Sequence, residues 1–143
     1  MATVNYQQSK EKRKKMSTSS VIYTGLSVDF ATNLSHADFR KADDFIEKHP
    51  ELDEYAYNLC DDDEAEGKLV LICDGMNGHY LRLIQIDKCC NDGYTTYGND
   101  VIELPMPNIS DELIDKFKAL YKEYTGEDLP PEKLRYIVWT HWT

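Results

Sequence analysis

The chain has 143 residues, and its 26 acidic and 16 basic residues give a formal net charge of −10. This length is typical of one domain with a single hydrophobic core and argues against two. The sequence contains no run of about 18 apolar residues that could span a bilayer and no apolar N-terminal segment typical of a secretory signal. We therefore expect a soluble cytoplasmic protein.

Residues 1–19 are polar and contain a basic cluster, which predicts a mobile tail ahead of one acidic domain at residues 20–143. The sequence leaves open whether translation starts at Met1 or at Met16. Residues 21–23 are β-formers and are followed by Gly25, which predicts a short first strand.

Two helices are predicted next. Ser35 can cap the first, whose apolar residues recur at helical spacing until Pro50 disfavours the helical conformation of His49. Pro50 can begin the second, which carries Leu52, Tyr55, Ala56 and Leu59 on one stripe.

The rest of the chain predicts a strand at residues 69–73, a five-residue hairpin loop and a second strand at residues 80–86. A further strand is predicted at residues 101–104. Ser110 and Gly126 mark the two ends of the clearest predicted helix, and apolar residues on both faces of the C-terminal segment predict a central strand.

The order β-α-α-β-β-β-α-β predicts a single α+β domain with a mostly antiparallel sheet of about five strands and helices packed on it. The predicted core residues are Phe39, Phe45, Leu69, Leu71, Leu83, Phe117, Leu120, Val138 and Trp139.

The charge is unevenly distributed along the chain. Residues 1–15 contain five basic residues and one acid, a local balance of +4. Residues 43–66, which we call the acidic stretch, contain eleven acids and one base. The eleven carboxylates belong to Asp43, Asp44, Glu47, Glu51, Asp53, Glu54, Asp61, Asp62, Asp63, Glu64 and Glu66.

This concentration of carboxylates has two interpretations. Any helix must turn a polar face to water, and acidic residues keep a protein soluble. Alternatively, carboxylates on two helices and a loop can imitate phosphates and occupy a basic groove of a nucleic-acid-binding protein. We favour the second interpretation: a non-enzymatic nucleic-acid mimic that inhibits or regulates such a partner, the type that includes phage and mobile-element anti-defence and anti-CRISPR proteins. No motif ties the chain to one such family, and we expect no direct binding of nucleic acid by the acidic domain and no membrane binding.

The alternative is a small enzyme or small-molecule-binding domain centred on the hairpin loop and the C-terminal strand. Its polar groups would be Asp74, His79 and His141, because proton transfer needs a histidine or carboxyl group in a cleft. Asp74 can instead simply open the turn by accepting hydrogen bonds from its own backbone, as Asp commonly does. The two hypotheses differ in one structural requirement: an enzyme needs these three residues together, whereas a mimic needs an exposed acidic surface.

The sequence gives no signal for a metal or a cofactor. Its four cysteines form no Cys-x-x-Cys pair, and two adjacent cysteines rarely converge on one zinc ion. The hairpin loop lacks the Lys-Ser/Thr pair of a phosphate-binding loop, and residues 61–64 lack the ligand spacing of a calcium loop. We therefore predict reduced thiols, no metal and no cofactor.

Overall fold

The computed structural model describes residues 20–57, 62–75, 80–91 and 106–142. The basic tail and the strand predicted at residues 101–104 lie outside these ranges. No helix in the described ranges is long and apolar enough to cross a membrane.

The described chain contains four strands: β1 (Ser20–Thr32), β2 (Leu69–Asp74), β3 (Tyr80–Asn91) and β4 (Arg135–Trp142). Its helices are α1 (His36–Lys48), α2 (Asp62–Ala65) and α3 (Asp111–Thr125). Short 3₁₀ turns lie at Pro50–Leu52, Glu54–Ala56 and Pro131–Lys133.

The four strands form one antiparallel sheet in the order β2-β3-β1-β4. This arrangement confirms the α+β class and the predicted hairpin, in which Cys73 pairs with Leu81. The prediction of a central C-terminal strand is wrong for the described sheet, because β4 pairs only with β1 and lies at an edge. Val138 on this strand is 64% exposed, which also contradicts its predicted burial.

The first strand is much longer than predicted, and Gly25 lies within it rather than at its end. The pairing of β1 with β3 shifts register twice, between Thr24 and Gly25 and between Asp29 and Ala31. Such bulges bend a strand and increase its twist. The two long central strands therefore form a curved sheet.

Alternate residues of each strand supply two separate cores. On one face, α1 and α3 cover an outer core that includes Phe30, Phe45, Leu71 and Phe117. On the other face, an inner core includes Tyr23, Val70, Ile72, Ala65 of α2 and Trp139. Because both faces of the sheet are buried, β2 is an almost continuous apolar run.

The two long helices begin where the sequence predicts. Ser35 and Asp38 form a reciprocal capping box at the start of α1, and the Ser110 hydroxyl accepts a hydrogen bond from the Leu113 amide at the start of α3. Gly126 ends α3 with a φ of 79°, a left-handed conformation that favours glycine. Phe39 is 36% exposed rather than buried, because it lies at the margin of the stripe formed by Ala42 and Phe45. The other predicted core residues apart from Val138 are buried.

The prediction of a helix after Pro50 is wrong. The chain instead forms two 3₁₀ turns separated by Asp53, whose backbone is extended and makes a parallel bridge to Leu71 of β2. The Asp53 carboxylate accepts a hydrogen bond from the Tyr55 amide, which begins the second turn. Residues 50–57 therefore run along the edge of β2 that faces away from β3, and the Tyr55 residue is 86% exposed.

Candidate functional site

Two of the three residues predicted for an enzymatic or ligand-binding site meet inside the protein. His141 Nδ1 lies 3.1 Å from Asp74 Oδ2, and both residues are buried, with 5% and 0% exposure. The two atoms are within hydrogen-bond distance, and Nδ1 donates in the tautomer that carries its hydrogen there. His79, the third predicted residue, lies outside the described residues.

This contact joins the two edges of the sheet. Asp74 pairs with Tyr80, which faces Thr32 at the end of β1, whereas His141 faces Val21 at the start of β1. In a flat sheet, residues so placed would be far apart. The contact therefore requires the sheet to coil until β2 and β4 approach each other, as in a staggered barrel, and the two bulges supply curvature.

A third group reaches the same place from the 3₁₀ turn beside β2. The Glu54 side chain is only 14% exposed, and its Oε2 lies 3.9 Å from His141 Nε2. Burial raises the pKa of Glu54 from 4.5 to about 7; the hydrogen bond with Tyr55 opposes this rise, and the charges of Asp53 and Asp74 add to it. We call Asp74, His141 and Glu54 the buried polar cluster.

Aromatic rings and acidic charge surround the cluster. The His141 ring centroid lies 5.5 Å from that of Trp139 and 6.3 Å from that of Tyr23. Burial and the charges of Glu54 and Asp74 raise the pKa of the neighbouring Cys73 thiol. The charge of Glu54 also raises the pKa of Tyr55. The surroundings therefore oppose further negative charge.

The cluster is chemically suited to holding a proton. Burial of the Glu54 carboxyl near Asp74 favours its protonated form over its ionised form. Sequence reasoning assigned Glu54 to the exposed acidic surface, and its inward position corrects that assignment. The backbone is extended at Asp53, so the Glu54 side chain does not lie on the predicted helix face. The helical spacing of the apolar residues does not indicate this interruption.

The other acids of the acidic stretch are distributed differently. Asp43, Asp44 and Glu47 are exposed on α1, Glu51 is exposed on the first 3₁₀ turn, and Asp53 is partly exposed. Glu64 and Glu66 are exposed at and after the end of α2. Asp61 and the side chains of Asp62 and Asp63 lie outside the described part of the chain.

These acids do not form one flat surface. Helix α1 packs on the outer core through Ala42 and Phe45, whereas α2 packs on the inner core through Ala65. The bridge of Asp53 to Leu71 places the connecting segment at the edge of β2. The described parts of the acidic stretch therefore lie on both faces of the sheet and along the edge of β2, and we call their exposed acids the acidic ridge.

Some charges on the ridge are paired. Glu66 lies 3.3 Å from Lys88, and Glu51 lies 3.6 Å from His49. On α1, Lys41 lies over the Tyr124 ring at 4.4 Å. Among the ion pairs within the described ranges, none involves Asp43, Asp44, Glu47 or Glu64.

Comparison with protein-family models, with curated proteins and with solved structures finds no match to this chain. Within the described residues, no group of three or more His, Cys, Asp or Glu side chains is arranged to hold a metal ion. Two features of the molecule therefore bear on its function: the acidic ridge and the buried polar cluster.

Proposed function

We propose that the protein is a non-enzymatic interaction protein whose acidic stretch binds a basic surface on a nucleic-acid-handling partner and inhibits or regulates that partner. The observation that carries this proposal is the set of exposed carboxylates without an ion-pair partner among the described residues: Asp43, Asp44, Glu47 and Glu64. An anti-defence protein of a phage or mobile element is one example of this type.

The electrostatics support this mode of binding. A surface with one sign of charge attracts an oppositely charged partner at long range and speeds association. A groove that binds nucleic acid is lined with Lys and Arg, and carboxylates on the acidic ridge can meet several of them at once. These carboxylates have no ion pair within the described residues to lose when they bind.

The test is a capture experiment with charge-reversed variants. The tagged full chain is used to capture proteins from host-cell extract at low and at high salt, and the main captured protein is then purified for kinetic measurements. The variant Asp43→Lys, Asp44→Lys, Glu47→Lys is expected to slow association and weaken binding at low salt, with little effect on the fold because these side chains are exposed. Reversal of Asp61, Asp62, Asp63 and Glu64 tests the other end of the ridge.

A matched control reverses three exposed acids elsewhere. Asp115→Lys, Glu127→Lys and Glu132→Lys change the net charge by the same amount but lie on or after α3. We expect this control to bind more tightly than the ridge variant. Equal affinities of the two variants, or ridge variants that bind like the parent at low salt, would refute the proposal.

The second candidate is a small enzyme or small-molecule-binding domain, and the hydrogen bond between Asp74 and His141 favours it. An aspartate that orients a histidine ring is a common arrangement in general acid–base catalysis. On this hypothesis Asp74→Asn abolishes activity or ligand binding, whereas reversal of ridge charges changes little. The two hypotheses therefore predict opposite effects of the two kinds of variant.

A further inference from the structure

The buried polar cluster joins three segments that are distant in the sequence. Asp74 belongs to one edge strand, His141 to the other, and Glu54 to the 3₁₀ turn beside β2. The inner core packs beneath them through Tyr23 and Trp139. The interactions among these three side chains therefore affect whether residues 50–57 and the end of β4 stay together.

The Glu54 carboxyl is enclosed by the side chains that join the two edge strands. Its Oε2 lies 3.9 Å from His141 Nε2, beyond hydrogen-bond distance, and the charge of Asp74 acts on it. Loss of the Glu54 proton would place a second charge beside Asp74 in a poorly solvated site, an arrangement that burial opposes.

We propose that the buried polar cluster is a proton-operated clasp, in which a proton on the buried Glu54 carboxyl keeps residues 50–57 and the end of β4 together, and loss of that proton loosens both segments. Release would expose the cluster and change the position of the 3₁₀ turns, which carry the middle of the acidic stretch. The clasp requires no partner, so its test is independent of the proposed function.

The direction of the pH effect follows from the groups that face Glu54. Asp53 and Tyr55 approach it from its own segment, Asp74 and Cys73 from β2, and His141 from β4. Apart from His141, each of these groups is negatively charged or becomes so at high pH. The clasp should therefore be closed at mildly acidic pH and open as the pH rises past neutrality.

Hydrogen exchange of the free full-length protein tests this proposal. The reporters are the Ala56 amide, which bonds to the Asp53 carbonyl, and the amides of β4 that pair with the start of β1. The Ile84 amide in the central strand β3 reports global opening, and the reporters should stay less protected than Ile84 if they exchange by local release. In the parent, reporter protection, corrected for base-catalysed exchange, should fall about tenfold between about pH 6 and about pH 8.

The variant Glu54→Gln keeps the shape of the protonated carboxyl group and should hold reporter protection constant over this range. Glu47→Gln, at an exposed position on α1, is the matched control and should behave as the parent does. If the reporters of Glu54→Gln lose protection with pH as the parent's do, or if the parent shows no loss, the clasp is disproved.

Nuclear magnetic resonance of the unmodified protein gives a second test that needs no variant. The chemical shift of the Glu54 side-chain carboxyl carbon is expected to titrate near pH 7, because burial raises the pKa of this group. An inflection at the ordinary glutamate pKa of 4.5 would overturn the proposal.

Discussion

Gly25 on β1 lies directly against the backbone carbonyl of Gln85 on β3, so that a Cβ at position 25 would lie 1.8 Å from this oxygen. The close approach occurs where the register between the two strands shifts. Only glycine, which has no Cβ, allows two backbones to come this close. Gly25 is therefore required by the strand pairing and not by a turn.

The first prediction is that Gly25→Ala is strongly destabilising, because β3 must move away from β1 at the centre of the sheet. We expect a loss of about 3 kcal/mol in the free energy of unfolding, at the upper end for overpacked sites. Gly75→Ala is the control, because among the described residues no atom beyond its chain neighbours lies within 4 Å of the place that a Cβ would take. Chemical denaturation measures both; a Gly25→Ala protein as stable as the Gly75→Ala protein would show that the strands tolerate separation.

Gly25 shows why the sequence predicts the end of the first strand at the wrong residue. A glycine after β-formers marks either a turn or a close approach of backbones, and only the partner strand distinguishes the two. The helices α1 and α3 were predicted correctly because their caps and apolar stripes are local signals. The false helix after Pro50 had the same spacing, but pairing of Asp53 with Leu71 overrides it.

The buried polar cluster was predicted in part for a related reason. Asp74 and His141 were noticed as residues able to carry out acid–base chemistry, although no pattern within the sequence shows that the two sheet edges meet. Glu54 was counted with the surface acids because its neighbours are acidic. Coiling of the sheet is a property of long-range strand pairing and bulges, which local periodicity does not contain.

The second prediction concerns the outer core. Phe117 is fully buried among the residues that α3 packs against the sheet, so Phe117→Ala removes a large ring and leaves a cavity. We expect a loss of about 3–5 kcal/mol in the free energy of unfolding. Val138→Ala, at an exposed position, should cost less than about 0.5 kcal/mol. Similar melting temperatures for the two variants would contradict the assigned packing of α3.

The third prediction is a pH-dependent gain in stability from Glu54→Gln. The pKa of Glu54 is raised from 4.5 to about 7, so the folded state holds this proton more tightly than the unfolded chain does. The resulting stabilisation is complete below about pH 4.5 and is lost as the pH rises through about 7. Glutamine stays neutral, so the variant should match the parent near pH 5 and exceed it near pH 8 by up to about 3 kcal/mol.

Urea denaturation at the two pH values measures this difference. Glu64→Gln, at an exposed site, controls for the removal of one negative charge from the acidic stretch. A gain at pH 8 shared equally by both variants would mean that general charge repulsion, rather than burial of Glu54, is responsible.

The last prediction tests whether the two edges of the sheet are energetically joined. Asp74 and His141 are buried and hydrogen-bonded to each other, so removing either side chain leaves the other without this partner. We expect Asp74→Ala and His141→Ala each to cost about 3 kcal/mol, because each removes a buried polar group together with the hydrogen bond that the two share. The double variant should cost less than the sum of the two by about 1–3 kcal/mol, since the shared hydrogen bond can be lost only once. A control cycle pairs Asp74→Ala with Phe117→Ala, whose side chain belongs to the outer core on the other face of the sheet, and should be additive within about 0.5 kcal/mol. Additivity of the Asp74 and His141 variants as well would mean that β2 and β4 are held by the inner core alone, and that the hydrogen bond between the edges contributes no coupling.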